Sequence, residues 1–216
     1  MSCDTVVFDL DGTLLDTLDD LCDSLNHVLL THALPAQTRD EVMSHVGNGS
    51  ARLVELSLQN GREHPLFDEV LRDYGAWYAA HCRLRTAPYP GISALLRRLS
   101  AEGIRCAVVS NKPDGAVKSL CADFFPGLLS AAIGERPGIK RKPAPDTLLS
   151  AMAELKALPS RTVYVGDSEV DIATAKNAGV RCVSVLWGFR TARQLTAAGA
   201  TAAASDTHEL YSLLLG

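Results

Sequence analysis

From residue 88 onward the sequence alternates between short apolar runs and amphipathic segments with helical spacing. The apolar runs have the length and composition of strands at 105–110, 129–133, 162–166, 181–186 and 202–205. Strands that alternate with helices form βαβ crossovers, which build a parallel sheet with helices on both faces. The alternation therefore predicts an α/β fold with a Rossmann-like core.

One further strand is predicted at the N-terminus, and a long helical block separates it from the others. Residues 5–8 are an apolar run, whereas residues 16–86 have helical spacing throughout. A block of this length with its own amphipathic helices is an inserted subdomain rather than a loop. We predict a core formed by residues 1–15 and 87–216, and an all-helical cap at 16–86 that lies over the carboxyl end of the first strand.

Composition restricts the class of partner. The 216 residues carry a net charge of −4, so no broad cationic surface for nucleic acid or an anionic membrane is expected. No apolar run reaches the length of a membrane span, and the six cysteines are widely spaced, which favours a reduced, cytoplasmic location. A small molecule is the expected partner, and the choice between a monomer and a homodimer stays open.

Two carboxylates follow the first strand directly, in the sequence Asp9-Leu10-Asp11-Gly12. Open α/β sheets bind their ligands at the carboxyl ends of the strands. An Asp-Gly hairpin is one alternative, but helical spacing follows instead of a returning strand. A calcium loop of the EF-hand type is another, but its glycine is the sixth residue and Gly12 is only the fourth. The third alternative is a magnesium site that acts on a phosphate.

Polar side chains also follow the later strands, namely Ser110, Asn111, Lys142, Asp167 and Asp171. Taken singly, each has an ordinary structural interpretation as a helix cap, a turn residue or a solvated lysine. Taken together, they meet at one edge of a parallel sheet, where two carboxylates about 4 Å apart repel by about 4 kcal/mol at an effective dielectric of 20. Such a cluster favours a bound divalent cation, with Mg²⁺ as the expected cofactor, and a lysine among the acids.

Other common catalytic motifs are missing from the sequence. There is no G-x-S-x-G element around Ser110 and no G-x-x-x-x-G-K-[ST] loop for a nucleoside triphosphate. Gly47-Asn48-Gly49 lacks the third glycine of the dinucleotide fingerprint and lies in the helical block.

Four segments of the sequence, in their order along the chain, resemble the motifs of the haloacid dehalogenase superfamily of phosphatases. The matching elements are Asp9–Thr13, Ser110-Asn111, Lys142-Pro143 and Gly166–Asp171, and the helical insertion follows the first of them, as the family's cap does. The resemblance covers essentially the whole chain. Within the superfamily the chain is most similar to the phosphoglycolate phosphatases. This similarity rests on Val46–Ser50 and on the Leu-Leu-Asp-Thr sequence at residues 14–17, directly after the first motif.

The resemblance implies a mechanism and a metal site. Asp9 is expected to attack phosphorus and form an aspartyl-phosphate, and Asp11 to act as general acid and then as general base. Asp9, the carbonyl of Asp11 and Asp167 are expected to bind Mg²⁺, with Asp171 as a direct or water-mediated ligand.

The resemblance also assigns residues that bind the substrate. Ser110, the backbone of Asn111 and Lys142 are expected to neutralise the phosphoryl oxygens. In the cap, we hypothesise that Gly47, Asn48 and Gly49 present backbone donors to a small substrate carboxylate, with Arg52 as a charge partner. An equally plausible interpretation is a plain glycine break between two helices.

The residues leave several functions open. The leading prediction is a Mg²⁺-dependent phosphomonoester hydrolase for 2-phosphoglycolate. A phosphatase for pyrophosphate or a sugar phosphate, and a phosphosugar mutase, share much of the pattern. A receiver-like phospho-aspartate signalling module also combines acids, a hydroxyl and a lysine on a parallel sheet, but it has no use for a cap.

Overall fold

The chain is described by a computed structural model over residues 3–215; Met1, Ser2 and Gly216, which the predicted core includes, lie outside the described residues. The strands are β1 (Thr5–Phe8), β2 (Leu15–Asp16), β3 (Ala87–Pro88), β4 (Arg105–Pro113), β5 (Ala131–Glu135), β6 (Thr162–Gly166), β7 (Arg181–Val185) and β8 (Ala203–Ala204). The helices are α1 (Leu18–Thr31), α2 (Arg39–His45), α3 (Ser50–Ser57), α4 (Phe67–His81), α5 (Ile92–Ala101), α6 (Asp114–Phe124), α7 (Asp146–Leu155), α8 (Glu169–Ala178), α9 (Ala192–Ala197) and α10 (Thr207–Leu215).

The chain forms two compact units. One comprises Met1–Leu15 together with Pro88–Gly216, and the other is Asp16–Ala87. The first unit, called the core unit below, contains the main sheet; the second, called the helical unit, contains α1–α4. The short strands β2 and β3 pair with each other at the two points where the chain passes from one unit to the other. No helix within the described residues is both long enough and apolar enough to cross a membrane.

The core unit is built on a parallel sheet of six strands in the order β5-β4-β1-β6-β7-β8. The central strand β1 lies between β4 and β6, with Thr5 opposite Arg105 on one side and opposite Thr162 on the other. A parallel sheet needs crossover connections that cover its faces, and the helices between the strands provide them. The predicted α/β, Rossmann-like fold is confirmed.

Both faces of this sheet are buried by helices. On one face, Val7 and Tyr164 belong to an apolar cluster with Leu148 of α7 and Ala175 of α8. Successive side chains of a strand point to opposite faces. Phe8 therefore points to the other side, where α5 and α10 contact each other and the sheet. Because both sides of β1 are fully buried, the strand is held firmly, and so are the residues that follow it.

The ends of some elements differ from the sequence predictions. β4 runs on to Pro113, which pairs with Glu135 after a register shift, although the apolar run ends near Ser110. The continuation lies in the sheet because its backbone stays extended beside β5, a tertiary effect that an apolar pattern does not encode. Helix α7 ends at Leu155, because Lys156 adopts a left-handed conformation with a φ of +52°.

The helical unit has its own apolar core. Leu21, Leu25 and Val28 of α1 are buried, and α1 packs against α4, where Val70 and Tyr74 are buried. This spacing gives each helix one apolar face. Helix α2 begins with a capping box, in which Thr38 and Glu41 satisfy each other's backbone N–H groups.

Candidate active site

Asp9 and Asp11 lie directly beyond β1, at the carboxyl end of the sheet. The backbone N–H of Asp9 donates to the carbonyl of Val165 at 2.8 Å, which extends the pairing of β1 with β6 by one residue. Gly12 has a φ of +79°, and a Cβ atom at this position would lie 2.4 Å from Oδ2 of Asp167. Glycine is therefore required here, both for its left-handed backbone and for the close approach of Asp167.

Lys142 connects the ends of two strands. Its Nζ atom lies 2.8 Å from Oδ1 of Asp9 and 2.8 Å from Oδ1 of Asp171, and it donates to the hydroxyl of Tyr164 at 3.1 Å. The Lys142 side chain is only 1% exposed. Burial alone would lower its pKa, but the two carboxylates raise the pKa of Lys142 above its ordinary value. The two acids therefore favour the charged ammonium form of Lys142, which lies between them.

Asn111 fixes the backbone of this lysine. Its side-chain oxygen accepts from the Lys142 N–H at 2.8 Å, and its side-chain nitrogen donates to the Lys142 carbonyl at 3.0 Å. An amide side chain offers a donor and an acceptor side by side, as such a pairing needs. The Asn111 side chain therefore has a positioning role, in addition to the phosphoryl-binding role that the family resemblance implies for its backbone.

Asp171 is the carboxylate of the cluster whose oxygens accept four hydrogen bonds. Oδ1 accepts from Lys142 at 2.8 Å and from the Tyr164 hydroxyl at 2.9 Å, while Oδ2 accepts from the Ser168 N–H at 3.1 Å and from the Ser168 hydroxyl at 2.5 Å. With Ser168, it forms the capping box that begins α8. Burial would raise the pKa of Asp171, but Lys142 and these hydrogen bonds lower it below its ordinary value.

Asp167 is buried with fewer donors. Oδ2 accepts from the Phe189 N–H at 2.7 Å and Oδ1 from the Thr13 hydroxyl at 3.2 Å. Burial and the neighbouring charge of Asp171 raise the pKa of Asp167 to about 7. Burial likewise raises the pKa of Asp9 well above its ordinary value, despite the opposing effect of Lys142.

The three buried acids are close enough to share one ion. Asp9, Asp167 and Asp171 each offer a carboxylate oxygen, and these oxygens all lie within 4.8 Å of one another. Carboxylates are ligands that Mg²⁺ prefers, and Mg²⁺ takes only a few ligands from the protein. A cation would also relieve the repulsion that raises the pKa of Asp9 and Asp167. The donor set therefore fits the predicted Mg²⁺.

The end of β4 contributes two further polar side chains. Ser110 is buried, and its hydroxyl oxygen accepts from the N–H of Lys112 at 3.2 Å. It does not cap α6, because that helix begins at Asp114 with Pro113 as its N-cap residue. Lys112, which the sequence analysis did not consider, is also buried, and its Nζ lies 3.1 Å from Oδ2 of Asp11. The core unit thus brings the predicted residues Asp9, Asp11, Ser110, Asn111, Lys142, Asp167 and Asp171 to one edge of the sheet.

The predicted substrate-binding residues of the cap lie in the helical unit. Gly47, Asn48 and Gly49 connect α2 to α3, and both glycines have a positive φ, of +124° and +79°. Arg52, in the first turn of α3, forms an ion pair with Glu55 at 2.7 Å. The positive φ values explain the glycines as a turn between helices, and a role in substrate binding stays a prediction.

Comparisons with known proteins identify the family. The sequence profile of the haloacid dehalogenase-like hydrolases matches residues 6–185. The chain is 33% identical to a phosphoglycolate phosphatase from Pseudomonas putida over 95% of this chain and 77% of that protein. It is 37% identical to a phosphoglycolate phosphatase from Cereibacter sphaeroides over 87% of both chains.

A solved structure agrees over the full length. A protein from Lactobacillus delbrueckii subsp. bulgaricus, whose assignment as a phosphoglycolate phosphatase is provisional, superposes with a TM-score of 0.96 and 34% identity over 100% of both chains. The resemblance inferred from the motifs is confirmed. The profile match covers most of the sequence and the acids lie together at the expected edge of the sheet: the chain belongs to the haloacid dehalogenase-like hydrolases.

Proposed function

We propose that this protein is a Mg²⁺-dependent phosphomonoester hydrolase whose substrate is 2-phosphoglycolate. The observation that carries the proposal is the position of Lys142, whose ammonium contacts Asp9 and Asp171 beside the buried Asp167. Acids and a fixed cation at the end of a central strand suit the transfer of a charged phosphoryl group. The names of the relatives from P. putida and C. sphaeroides support the choice of substrate.

We assign the metal contacts unequally among the acids. Four donors already occupy Asp171, and a carboxylate has about four lone-pair sites. Asp9, Asp167 and the backbone carbonyl of Asp11 are therefore the proposed direct ligands, while Asp171 acts mainly through Lys142 or through water. When bound, Mg²⁺ neutralises negative charge on the phosphoryl oxygens.

Asp9 is the proposed nucleophile. Its Oδ1 accepts from the Leu10 N–H at 2.7 Å and from Lys142 at 2.8 Å, so we assign Oδ2 to attack on phosphorus. The Asp9–phosphorus bond forms as the ester P–O bond breaks, and Asp11 gives its proton to the departing alkoxide. Asp11 then removes a proton from water, which attacks phosphorus and releases phosphate and Asp9.

Three groups of the core unit are proposed to bind the phosphoryl oxygens. They are the Ser110 hydroxyl, the backbone N–H of Asn111 and the Lys142 ammonium. Lys142 is already oriented by its contact with Asp171 and by the hydrogen bonds between the Asn111 side chain and the Lys142 backbone. It therefore needs little rearrangement when the substrate binds.

The helical unit is the proposed cap, which excludes water and selects the substrate. In it, the turn at Gly47–Gly49 would offer backbone donors to the substrate carboxylate, with Arg52 nearby in sequence. Arg52→Ala is expected to raise KM for 2-phosphoglycolate selectively, and an equal loss on every phosphate ester would reject this assignment.

A substrate panel tests the proposal. Release of inorganic phosphate is measured with Mg²⁺ for 2-phosphoglycolate, pyrophosphate and several sugar phosphates. We expect 2-phosphoglycolate to have the highest kcat/KM, and Asp9→Asn to abolish turnover while the circular dichroism spectrum is unchanged. Asp68→Asn, which changes an exposed acid of α4, is the matched control and should retain full activity. A wild-type protein that releases no phosphate from any ester would refute the proposal.

A further inference from the structure

Lys112, at the end of β4, is buried like Lys142. Its side chain is only 4% exposed, and its ammonium lies 3.1 Å from Oδ2 of Asp11. Its backbone N–H donates to the Ser110 hydroxyl oxygen at 3.2 Å, so the residue is anchored beside the proposed phosphoryl-binding group. Burying an ammonium is costly unless anions surround it, and the cost makes a buried lysine an informative feature.

The two buried lysines serve different sides of the proposed reaction. Lys142 contacts Asp9, the proposed nucleophile, and therefore lies on the side of phosphorus that is attacked. Lys112 contacts Asp11, the proposed proton donor to the departing oxygen. In an in-line displacement the leaving group lies opposite the nucleophile. Lys112 therefore lies on the leaving-group side.

We infer that Lys112 is a specificity-determining residue that binds an anionic group on the leaving alcohol. The inference rests on the proposed function and deepens it by naming a residue that would bind the carboxylate of the substrate. In 2-phosphoglycolate the carboxylate is attached to the same carbon atom as the ester oxygen. A proton donor that reaches this oxygen brings its own partner, Lys112, within reach of the carboxylate.

The chemistry of lysine suits this task. An ammonium has three donors and no acceptor, so Lys112 can keep one hydrogen bond to Asp11 and give another to the substrate. Lys112 belongs to the core unit and lies beside the proposed proton donor, with its Nζ 3.1 Å from Oδ2 of Asp11.

The test compares two esters that differ only in this anionic group, 2-phosphoglycolate and ethyl phosphate. Lys112→Met is expected to lower kcat/KM for 2-phosphoglycolate by about 10- to 100-fold, mainly through KM, as loss of a charged hydrogen bond implies. For ethyl phosphate the change should be smaller by about tenfold or more. Lys112→Arg should retain most of the preference. Lys118→Met is the control, because the Lys118 side chain in α6 is 56% exposed. This variant should leave kcat/KM unchanged for both substrates.

Each outcome decides the inference. Equal losses on both esters would mean that Lys112 acts only through Asp11, and no loss would mean that it does not bind the substrate; either result overturns the inference. If Lys112→Met does not fold, Lys112→Gln, which retains a polar end without the charge, takes its place with the same expectations. A wild-type protein that hydrolyses both esters equally well would overturn the inference alone, whereas one that hydrolyses neither would refute the proposed function.

Discussion

The buried acid Asp167 gives the metal-free protein a pH-dependent instability. Its pKa is about 7, raised by burial and by Asp171, whereas an aspartate in the unfolded chain titrates near its ordinary value of 3.8. Between these two values the folded state binds more protons than the unfolded state, so stability falls as the pH rises. Above about pH 7 the destabilisation is complete, because Asp167 is then ionised in both states.

Asp167→Asn removes this titration with little change in shape. The amide oxygen can still accept from the Phe189 N–H, and the Thr13 hydroxyl can accept from the amide nitrogen. From pH 5 to the pKa of about 7 is two pH units, which corresponds to about 3 kcal/mol. In a chain of this length, that corresponds to about 6–12 °C in Tm.

Urea unfolding in EDTA at pH 5 and pH 8 measures the effect. We expect the unfolding free energy of Asp167→Asn, relative to wild type, to rise by about 3 kcal/mol from pH 5 to pH 8. Adding Mg²⁺ at pH 8 should stabilise the wild type far more than the variant, because the ion binds the folded acids. Parallel pH profiles for the two proteins would refute the reasoning, since Asp167 would then not titrate in this range.

Two further substitutions test the packing of the site. Gly12→Ala forces a Cβ atom to 2.4 Å from Oδ2 of Asp167 at a φ of +79°, so we expect it to lose activity and more than about 1 kcal/mol of unfolding free energy, measured in urea. Normal turnover by this variant would show that the turn is not constrained. Tyr164→Phe deletes a hydroxyl that donates to Asp171, and should cost about 1–3 kcal/mol in EDTA. An unchanged unfolding free energy would mean that Lys142 and Ser168 alone satisfy this acid.

The sequence predicted the features that depend on periodicity and on strand ends. The parallel sheet follows from the alternation of strands and helices, and the edge where Asp9 and Asp167 meet follows from the position of each acid directly after an apolar run. Parallel topology alone brings such residues together. The family follows from the order of the motifs.

The sequence did not predict features that arise only from three-dimensional packing. Lys112 follows Ser-Asn without any spacing signature, and the role that we propose for it depends on the extension of β4 to Pro113. Tyr164 alternates with apolar residues along β6, so the pattern assigns it to the core, where its ring does lie. Its hydroxyl reaches Asp171 only because α8 begins beside the end of β6.

The central claim is that the acids at the end of β1 and β6 bind Mg²⁺ and act with Lys142 on a phosphoryl group. Phosphate release from 2-phosphoglycolate, followed while Mg²⁺ is titrated into protein pretreated with EDTA, tests it most directly. The account predicts no turnover in EDTA, recovery that saturates with Mg²⁺, and no recovery in Asp9→Asn or Asp167→Asn. Turnover that persists in EDTA, or that returns with Mg²⁺ in Asp9→Asn, would contradict it.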